Sequence, residues 1–306
     1  QVDAAAIDAA VQTQMDAPSL PAGLSAEALE AIPQAPGVYL FYDGKGAPLY
    51  VGRSVDLHAR VRSHVSGDHR QARDLRIAQQ VARVDWIETA GELGALLNES
   101  RLIKELLPVH NRRGRRVANF HSWEWDGALE SRAPLRLVTA GDAVMLRLEN
   151  LFGTFRTKSA ALAALTGIAA EHGLCPLLLG LEPARKAGAA CFAHQLKRCR
   201  GACCGTESVA SHNLRLMQAL QSLRFAQWPF KGAIGLREGW GEQCEVHLFE
   251  RWCFLGTART EAEIYDRLEV RGRPVFDLDI YKILRRELEQ RSKGVVLIEL
   301  GPTSSL

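Results

Sequence analysis

The first 44 residues contain no lysine and no arginine, although they carry six acids: Asp3, Asp8, Asp16, Glu27, Glu30 and Asp43. The formal charge of +3 therefore averages an acidic leader against a body that sets all 38 basic residues against the other 29 of the 35 acids. Such an excess suits a polyanionic partner. No apolar run approaches the ~20 residues that a membrane span needs. The N-terminus also lacks the basic and apolar regions of a secretory signal, so a cytoplasmic protein is expected. No repeat at periods of about 20–50 residues is present, which excludes solenoids. The chain starts at Gln1 rather than Met, and its leader reads as a linker from a larger protein. Cysteine is present in odd number, seven in all, with five between Cys175 and Cys204. In a reducing compartment that clustering favours metal binding over a disulfide framework. A content of 47% hydrophobic and 24% charged residues excludes collagen-like and wholly disordered chains.

At 306 residues the chain is long enough for more than one domain. Residues 1–34 form the acidic leader, with a short helix from Ser25 to Ala31 capped by Ser25. Strand alternation begins at PGVYLFYD, turns at GKG and resumes at APLYVGR, which reads as a hairpin. A helix over roughly 55–66 follows, with Ser54 as N-cap and Leu57, Val61 and Val65 on one face. A strand at Val84–Thr89 and an amphipathic helix over 91–106, stopped by Pro108, complete a first domain over 35–116. Residues 117–224 read as short strands, a helix at 157–173, a Cys-rich loop and a helix at 206–224. Residues 225–306 alternate strands (GAIGLRE, EVHLFERWCFLG, GVVLIEL) with helices at about 260–269 and 279–291.

The hairpin carries the most specific pattern: Gly37-Val38-Tyr39 and Tyr50-Val51-Gly52 at matching places on paired strands. Arg53 follows directly, and Arg60 and His64 lie four apart, side by side on the next helix and off its apolar stripe. Glu99 interrupts the pattern of its own helix. Ala95, Leu96, Leu102 and Ile103 flank it at three and four residues, so its carboxylate falls within the apolar face. A buried carboxylate needs a partner, and either an arginine or a divalent metal would serve.

These residues resemble the GIY-YIG nucleases, whose name describes the two triplets. The stretches GALLNESRLIKE, LFGTFRTKSAALAAL, CFAHQLKRCRGACCGTES, FAQWPFKGAIGL and DIYKIL extend the resemblance, to the UvrC/Cho excinuclease type, over most of residues 35–285. The resemblance implies an α+β chain: a small β-β-α-β-α GIY-YIG domain, a Cys-rich helical region with an iron–sulfur cluster, and a small mixed α/β C-terminal domain. It implies catalytic roles for Tyr39, Tyr50, Arg53, Arg60, His64, Glu99 and Asn111. Tyr39 would act as general base or orient the attacking water, and Tyr50 would place the scissile phosphate. Arg53 and Arg60 would neutralise transition-state charge, and Glu99 would hold one Mg2+ or Mn2+. His64 would assist proton transfer and Asn111 would brace the site. UvrC usually has Lys at the place of Arg53 and Tyr at that of His64, so a neutral-lysine mechanism is excluded here.

Cys175, Cys191, Cys199 and Cys203 suit an iron–sulfur cluster or tetrahedral zinc. The resemblance favours [4Fe–4S], with Cys204 able to take the place of Cys203. Lys104, Arg112, Arg113, Arg115 and Arg116 form one basic cluster, and Lys197, Arg198 and Arg200 belong to a second, both suited to a DNA backbone. The expected protein is a monomeric, nucleoid-associated endonuclease of nucleotide excision repair. It would cut damaged double-stranded DNA on the 3′ side of a lesion, within a complex of UvrB loaded by UvrA. The rivals are a flap or junction nuclease and a non-catalytic DNA- or UvrB-binding module of a larger protein.

Overall fold

The computed structural model describes residues 21, 23–65, 72–111, 120–139, 148–183, 186, 188–269 and 275–301. Most of the leader lies outside these residues, as do Arg112, Arg113, Arg115 and Arg116. The chain forms two compact units. One comprises Gln1–Val117, Phe230–Pro274 and Lys282–Leu306, the other Ala118–Pro229 and Val275–Tyr281.

In the first unit α1 (Ala26–Glu30) is capped by Ser25, whose Oγ accepts from the Ala28 N–H at 3.2 Å. Strands β1 (Gly37–Tyr42) and β2 (Pro48–Ser54) pair antiparallel as the hairpin. Helices α2 (Leu57–Val65) and α3 (Ala72–Gln80) lead to β3 (Arg83–Glu88), which pairs with the other side of β1. The sheet order is β2-β1-β3, so β2 is an edge. Helix α4 (Glu92–Leu106) ends at Leu107, in the left-handed region, just before Pro108.

Alternation along β1 and β2 sorts the side chains onto two faces. Tyr39, Phe41 and Tyr50 pack with Leu57, Val61 and Ile77 of α2 and α3. Val38, Leu40 and Val51 pack with Ala95, Leu102 and Ile103 of α4. Two details depart from the sequence reading. Asp56, not Ser54, caps α2, its Oδ1 accepting from the Ala59 N–H at 2.9 Å. Helix α3 is additional: its sequence ARDLRIAQQ is polar overall and, among the described side chains, buries Ile77 and Ala78.

The second unit holds β4 (His121–Trp125), β5 (Leu135–Thr139), β6 (Leu151–Phe155), α5 (Lys158–Glu171), the single turn α6 (Phe192–Gln195) and α7 (Val209–Leu220). Its three strands run in the order β5-β4-β6. Trp123, Trp125 and Phe152 pack on Leu165 and Leu216, and the Trp123 Nε1–H donates to the Ala161 carbonyl at 3.2 Å. Strand β6 was not foreseen, because LFGTF is too short to show alternation.

Residues 233–301 supply β7 (Ala233–Glu238), β8 (Glu245–Glu250), β9 (Cys253–Ala258), α8 (Glu261–Glu269), α9 (Leu278–Glu289) and β10 (Val295–Gly301). The strands form a second sheet in the order β10-β7-β8-β9. The single run EVHLFERWCFLG splits into β8 and β9 at Arg251 and Trp252, whose φ angles of 48° and 69° make a tight reversal. The chain is thus α+β, with the hairpin-bearing domain first, the Cys-rich helical region next and a mixed α/β sheet domain last.

Candidate functional site

The two sequence triplets have a packing reason. Tyr39 lies opposite Gly52 in the ladder, and a Cβ on Gly52 would overlap the Tyr39 phenol. A Cβ on Gly37 would collide with the Ile87 carbonyl of β3. Glycine at residue 52 makes room for the Tyr39 ring, and glycine at residue 37 for the backbone of β3.

Tyr39 is 1% exposed, and its OH lies 2.8 Å from His64 Nε2. The Tyr39 and Tyr50 ring centroids are 6.0 Å apart, and each is within 5.8 Å of the His64 ring. Burial first, and Tyr50 next, push the Tyr39 phenol far above its ordinary value, while the Arg60 guanidinium pulls the other way. His64 is not the solvent-facing residue that its spacing suggested; it is 3% exposed and joins the buried stripe of α2, with Arg60 remaining exposed. Asp74 of α3 was not anticipated. Its Oδ1 stands 3.8 Å from His64 Nδ1, so a carboxylate backs the imidazole on the side away from Tyr39.

On the opposite face of the sheet, Arg53 donates from Nε to Glu99 Oε2 at 3.0 Å and from Nη1 to Glu92 Oε1 at 2.8 Å. Glu92 and Glu99 are two turns apart on α4 and share that face. Burial raises the Glu99 carboxyl above its ordinary 4.5, against the lowering effect of Arg53. The arginine partner is therefore present but does not offset the desolvation. Such a carboxylate, beside an edge strand, fits a hard divalent cation that keeps its other positions for water or phosphate oxygens. Asn111 braces β2 in the manner of a strand partner, its Oδ1 accepting from the Val51 N–H at 2.9 Å and its Nδ2 donating to the Val51 carbonyl at 2.8 Å. The candidate residues thus divide between the two faces of the sheet, Tyr39, Tyr50 and His64 on one and Arg53 and Glu99 on the other. Lys104 is half-buried, with Nζ donating to Ser100 Oγ at 3.2 Å.

The sequence also gave no notice of what meets the start of α4. Carboxylates of β7 and β8, Glu238 and Glu245, accept from backbone N–H groups of Leu93, Gly94 and Ala90. The only trace is the pair Gly91 and Gly94, glycines where a helix start ordinarily has a capping side chain.

In the second unit, Cys175, Cys191 and Cys203 bring their Sγ atoms within 4.8 Å of one another, and Cys199 Sγ lies 3.5 Å from that of Cys191. All four are buried. Backbone N–H groups of Cys191, His194 and Gly201 donate to the sulfurs of Cys203, Cys191 and Cys199, each at 3.3 Å, an arrangement suited to thiolates bound to metal. Burial pushes the Cys175 and Cys191 thiols up to about 12. Burial acts the same way on Cys203, but the Cys191 N–H and the adjoining thiols outweigh it and hold that thiol below its ordinary 9.0. Cys204 borders the cluster but lies outside the closest group of thiols, its Sγ at 3.3 Å from the Gly201 carbonyl and 3.4 Å from Thr206 Oγ1. Lys197, Arg198 and Arg200 are exposed around this loop.

Known proteins match the chain along its length. Residues 35–112 match the UvrC-like GIY-YIG domain, residues 130–222 the UvrC/Cho excinuclease middle domain, and residues 233–304 the Excinuclease Cho C-terminal domain. The chain is 42% identical to the Excinuclease cho of Escherichia coli O6:H1 over 277 residues, which is 90% of this chain and 89% of that protein. It is 29% identical over 173 residues to a putative bifunctional exonuclease/endonuclease protein of Mycobacterium tuberculosis, covering 56% of this chain and 26% of the relative. Among solved structures it is similar to the GIY-YIG N-terminal endonuclease domain of UvrC from Thermotoga maritima bound to magnesium. That match has 28% identity and a TM-score of 0.26, and covers 29% of this chain and 99% of the other.

Proposed function

Because the chain belongs to the UvrC/Cho excinuclease family and is a DNA endonuclease of nucleotide excision repair, we propose that it cuts damaged duplex DNA on the 3′ side of a lesion, within a UvrB–DNA complex. The observation that carries the chemistry is the pairing of Tyr39 with His64 on one face of the hairpin and of Arg53 with Glu99 on the other.

A divalent cation, Mg2+ or Mn2+, at Glu99 would supply a Lewis acid for the scissile phosphate and its leaving 3′ oxygen. The chain's own residues do the rest. Tyr39 is too buried to exist as a stable phenolate. It therefore accepts a proton from the attacking water only as its own proton passes to His64 Nε2, 2.8 Å away. Asp74 faces the positive charge that His64 then acquires. Tyr50 orients the phosphate, and Arg60 and Arg53 offset the negative charge that builds on it. Water oxygen bonds to phosphorus, the bond to the 3′ oxygen breaks, and that oxygen takes up a proton from solvent.

We assign the four thiols to a [4Fe–4S] cluster, a reading supported by the motif CFAHQLKRC…C, while the N–H···S contacts around it suit metal-bound thiolates in general. One observation favours tetrahedral zinc as a second reading: sulfur separations of 3.5 and 3.8 Å match the roughly 3.8 Å edge expected for thiolates about 2.3 Å from one ion. Anaerobic purification separates the two, since brown protein containing iron and sulfide supports the cluster and colourless protein containing zinc refutes it.

Incision mapping on an adducted duplex, with and without UvrB, tests the function. A 3′-side nick that needs UvrB and is lost in Tyr39→Phe and Glu99→Ala is expected. Undiminished nicking by either variant would sink the site, and preferential cutting of flaps would point to a junction nuclease instead.

A further inference from the structure

The helix that carries Glu99 starts without a cap of its own. Gly91 stands at the N-cap position and offers no side chain to the first N–H groups of α4. A carboxylate from β7 takes that place. Glu238 Oε1 accepts from the Leu93 N–H at 2.9 Å and Oε2 from the Gly94 N–H at 2.8 Å, the two positions an N-cap side chain would serve. From β8, Glu245 Oε2 accepts from the Ala90 N–H at 3.2 Å while its Oε1 accepts from Arg259 Nη2 at 2.9 Å. His247, fully buried, lies 3.4 Å from Glu238 Oε2 through Nε2 and 2.9 Å from Thr257 Oγ1 through Nδ1.

The fit is mutual. A Cβ on Gly91 would overlap the Glu238 carboxylate, and one on Gly94 would stand 2.9 Å from Glu245 Oε2 and 3.1 Å from His247 Cε1. Glycine is a poor helix former, so its presence twice at this helix start is accounted for by the close approach of the β7 and β8 side chains.

We propose that the C-terminal sheet is a working part of the nuclease: Glu238 positions α4, and through it sets Glu99 for metal binding. The proposal rests on Glu99 being the metal ligand. Helix α4 packs on β1 and β2 through Ala95, Leu102 and Ile103, and polar groups fix it further: Arg53 of β2 grips Glu92 and Glu99, and Glu238 of β7 holds the first turn. Without the β7 carboxylate the first turn loses its anchor, and Glu99, which follows on the same helix, loses a constraint on its placement.

The test uses the full chain and Mn2+ alone, titrated without DNA, with Glu99→Ala marking the binding that belongs to Glu99. In Glu238→Ala that binding weakens by on the order of tenfold, the usual cost of losing a group that orients a metal ligand. Nicking loses kcat more than KM for DNA. The decisive variant is Gly91→Asp combined with Glu238→Ala, in which the side chain blocking a Cβ at residue 91 is gone and aspartate can cap the helix itself. Its melting temperature is expected to recover while Mn2+ affinity and nicking do not.

Recovery of all three would make Glu238 a cap and nothing more, and would overturn the proposal. Should Glu238→Ala fail to fold, Glu238→Gln, which keeps the shape of the cap and removes its charge, takes its place. A weaker Mn2+ site in folded protein supports the proposal, and unchanged Mn2+ binding overturns it. If Mn2+ binding is unchanged in Glu99→Ala, the metal assignment falls and the positioning role with it. If it changes there but not in Glu238→Ala, the positioning role alone falls.

Discussion

Glu99 is costly to the protein that carries it. Its carboxyl is raised above the ordinary 4.5 because burial outweighs Arg53. For an acid with a raised folded value, the folded state holds a proton that the unfolded state has released. Stability from this group therefore falls as pH rises from 4.5 through the raised value, and at neutral pH the desolvated charge is a net burden. Glu99→Gln keeps the shape and removes the charge. The metal-free variant is expected to melt at the wild-type temperature or above it at neutral pH, with that advantage gone near pH 4.5, while nicking is abolished. Calorimetry at the two pH values, alongside a nicking assay, checks both halves. A variant that melts well below wild type at neutral pH would show that Arg53 needs Glu99 more than Glu99 suffers from burial.

Among the elements, α4 and the cysteine loop each depend on groups distant in sequence. The Glu238 carboxyl is held below its ordinary 4.5: burial acts to raise it, but His247 and the N–H groups of Gly94 and Leu93 together act more strongly the other way. An acid with a depressed folded value contributes stability that is complete above 4.5 and lost as pH falls through the folded value. The gap in melting temperature between wild type and Glu238→Gln is accordingly widest at neutral pH and closes as the solution is acidified below 4.5. A gap independent of pH would contradict the charged cap. In the cysteine loop, Cys203 faces Cys175 and Cys191 whereas Cys204 faces Gly201 and Thr206. Metal analysis of the purified variants should find Cys203→Ser depleted and Cys204→Ser fully loaded.

For the whole molecule, the exposed cations behind the charge imbalance include Lys197, Arg198 and Arg200 of the second unit. Each side chain that neutralises a phosphate adds about one unit to the salt dependence of DNA binding. Alanine at Arg198 and Arg200 together should weaken binding evenly across DNA sequences and flatten the plot of log K against log salt by up to about two units. An unchanged slope, measured by fluorescence anisotropy across a salt series, would remove these residues from the DNA path. Among the described residues, no helix is long and apolar enough to cross a membrane.

Local sequence alone determined the hairpin, the oddly placed carboxylate in α4 and the four-cysteine pattern, because each is written within a few residues as alternation, helical spacing or ligand spacing. That Tyr39 and Arg53 face opposite sides of the sheet follows from the register, which sets Tyr39 across from Gly52 and Val38 across from Arg53. Tertiary structure decided what lies across space: that His64 is buried against Tyr39, that Arg53 is the arginine that meets Glu99, that Cys203 and not Cys204 joins the close thiol group, and that Glu238 caps a helix whose Leu93 N–H lies 145 residues before it. Burial and pairing between distant segments depend on which surfaces the fold brings together. A carboxylate on β7 has no periodicity or motif to announce it; the only sign in the chain is the room left for it at Gly91 and Gly94.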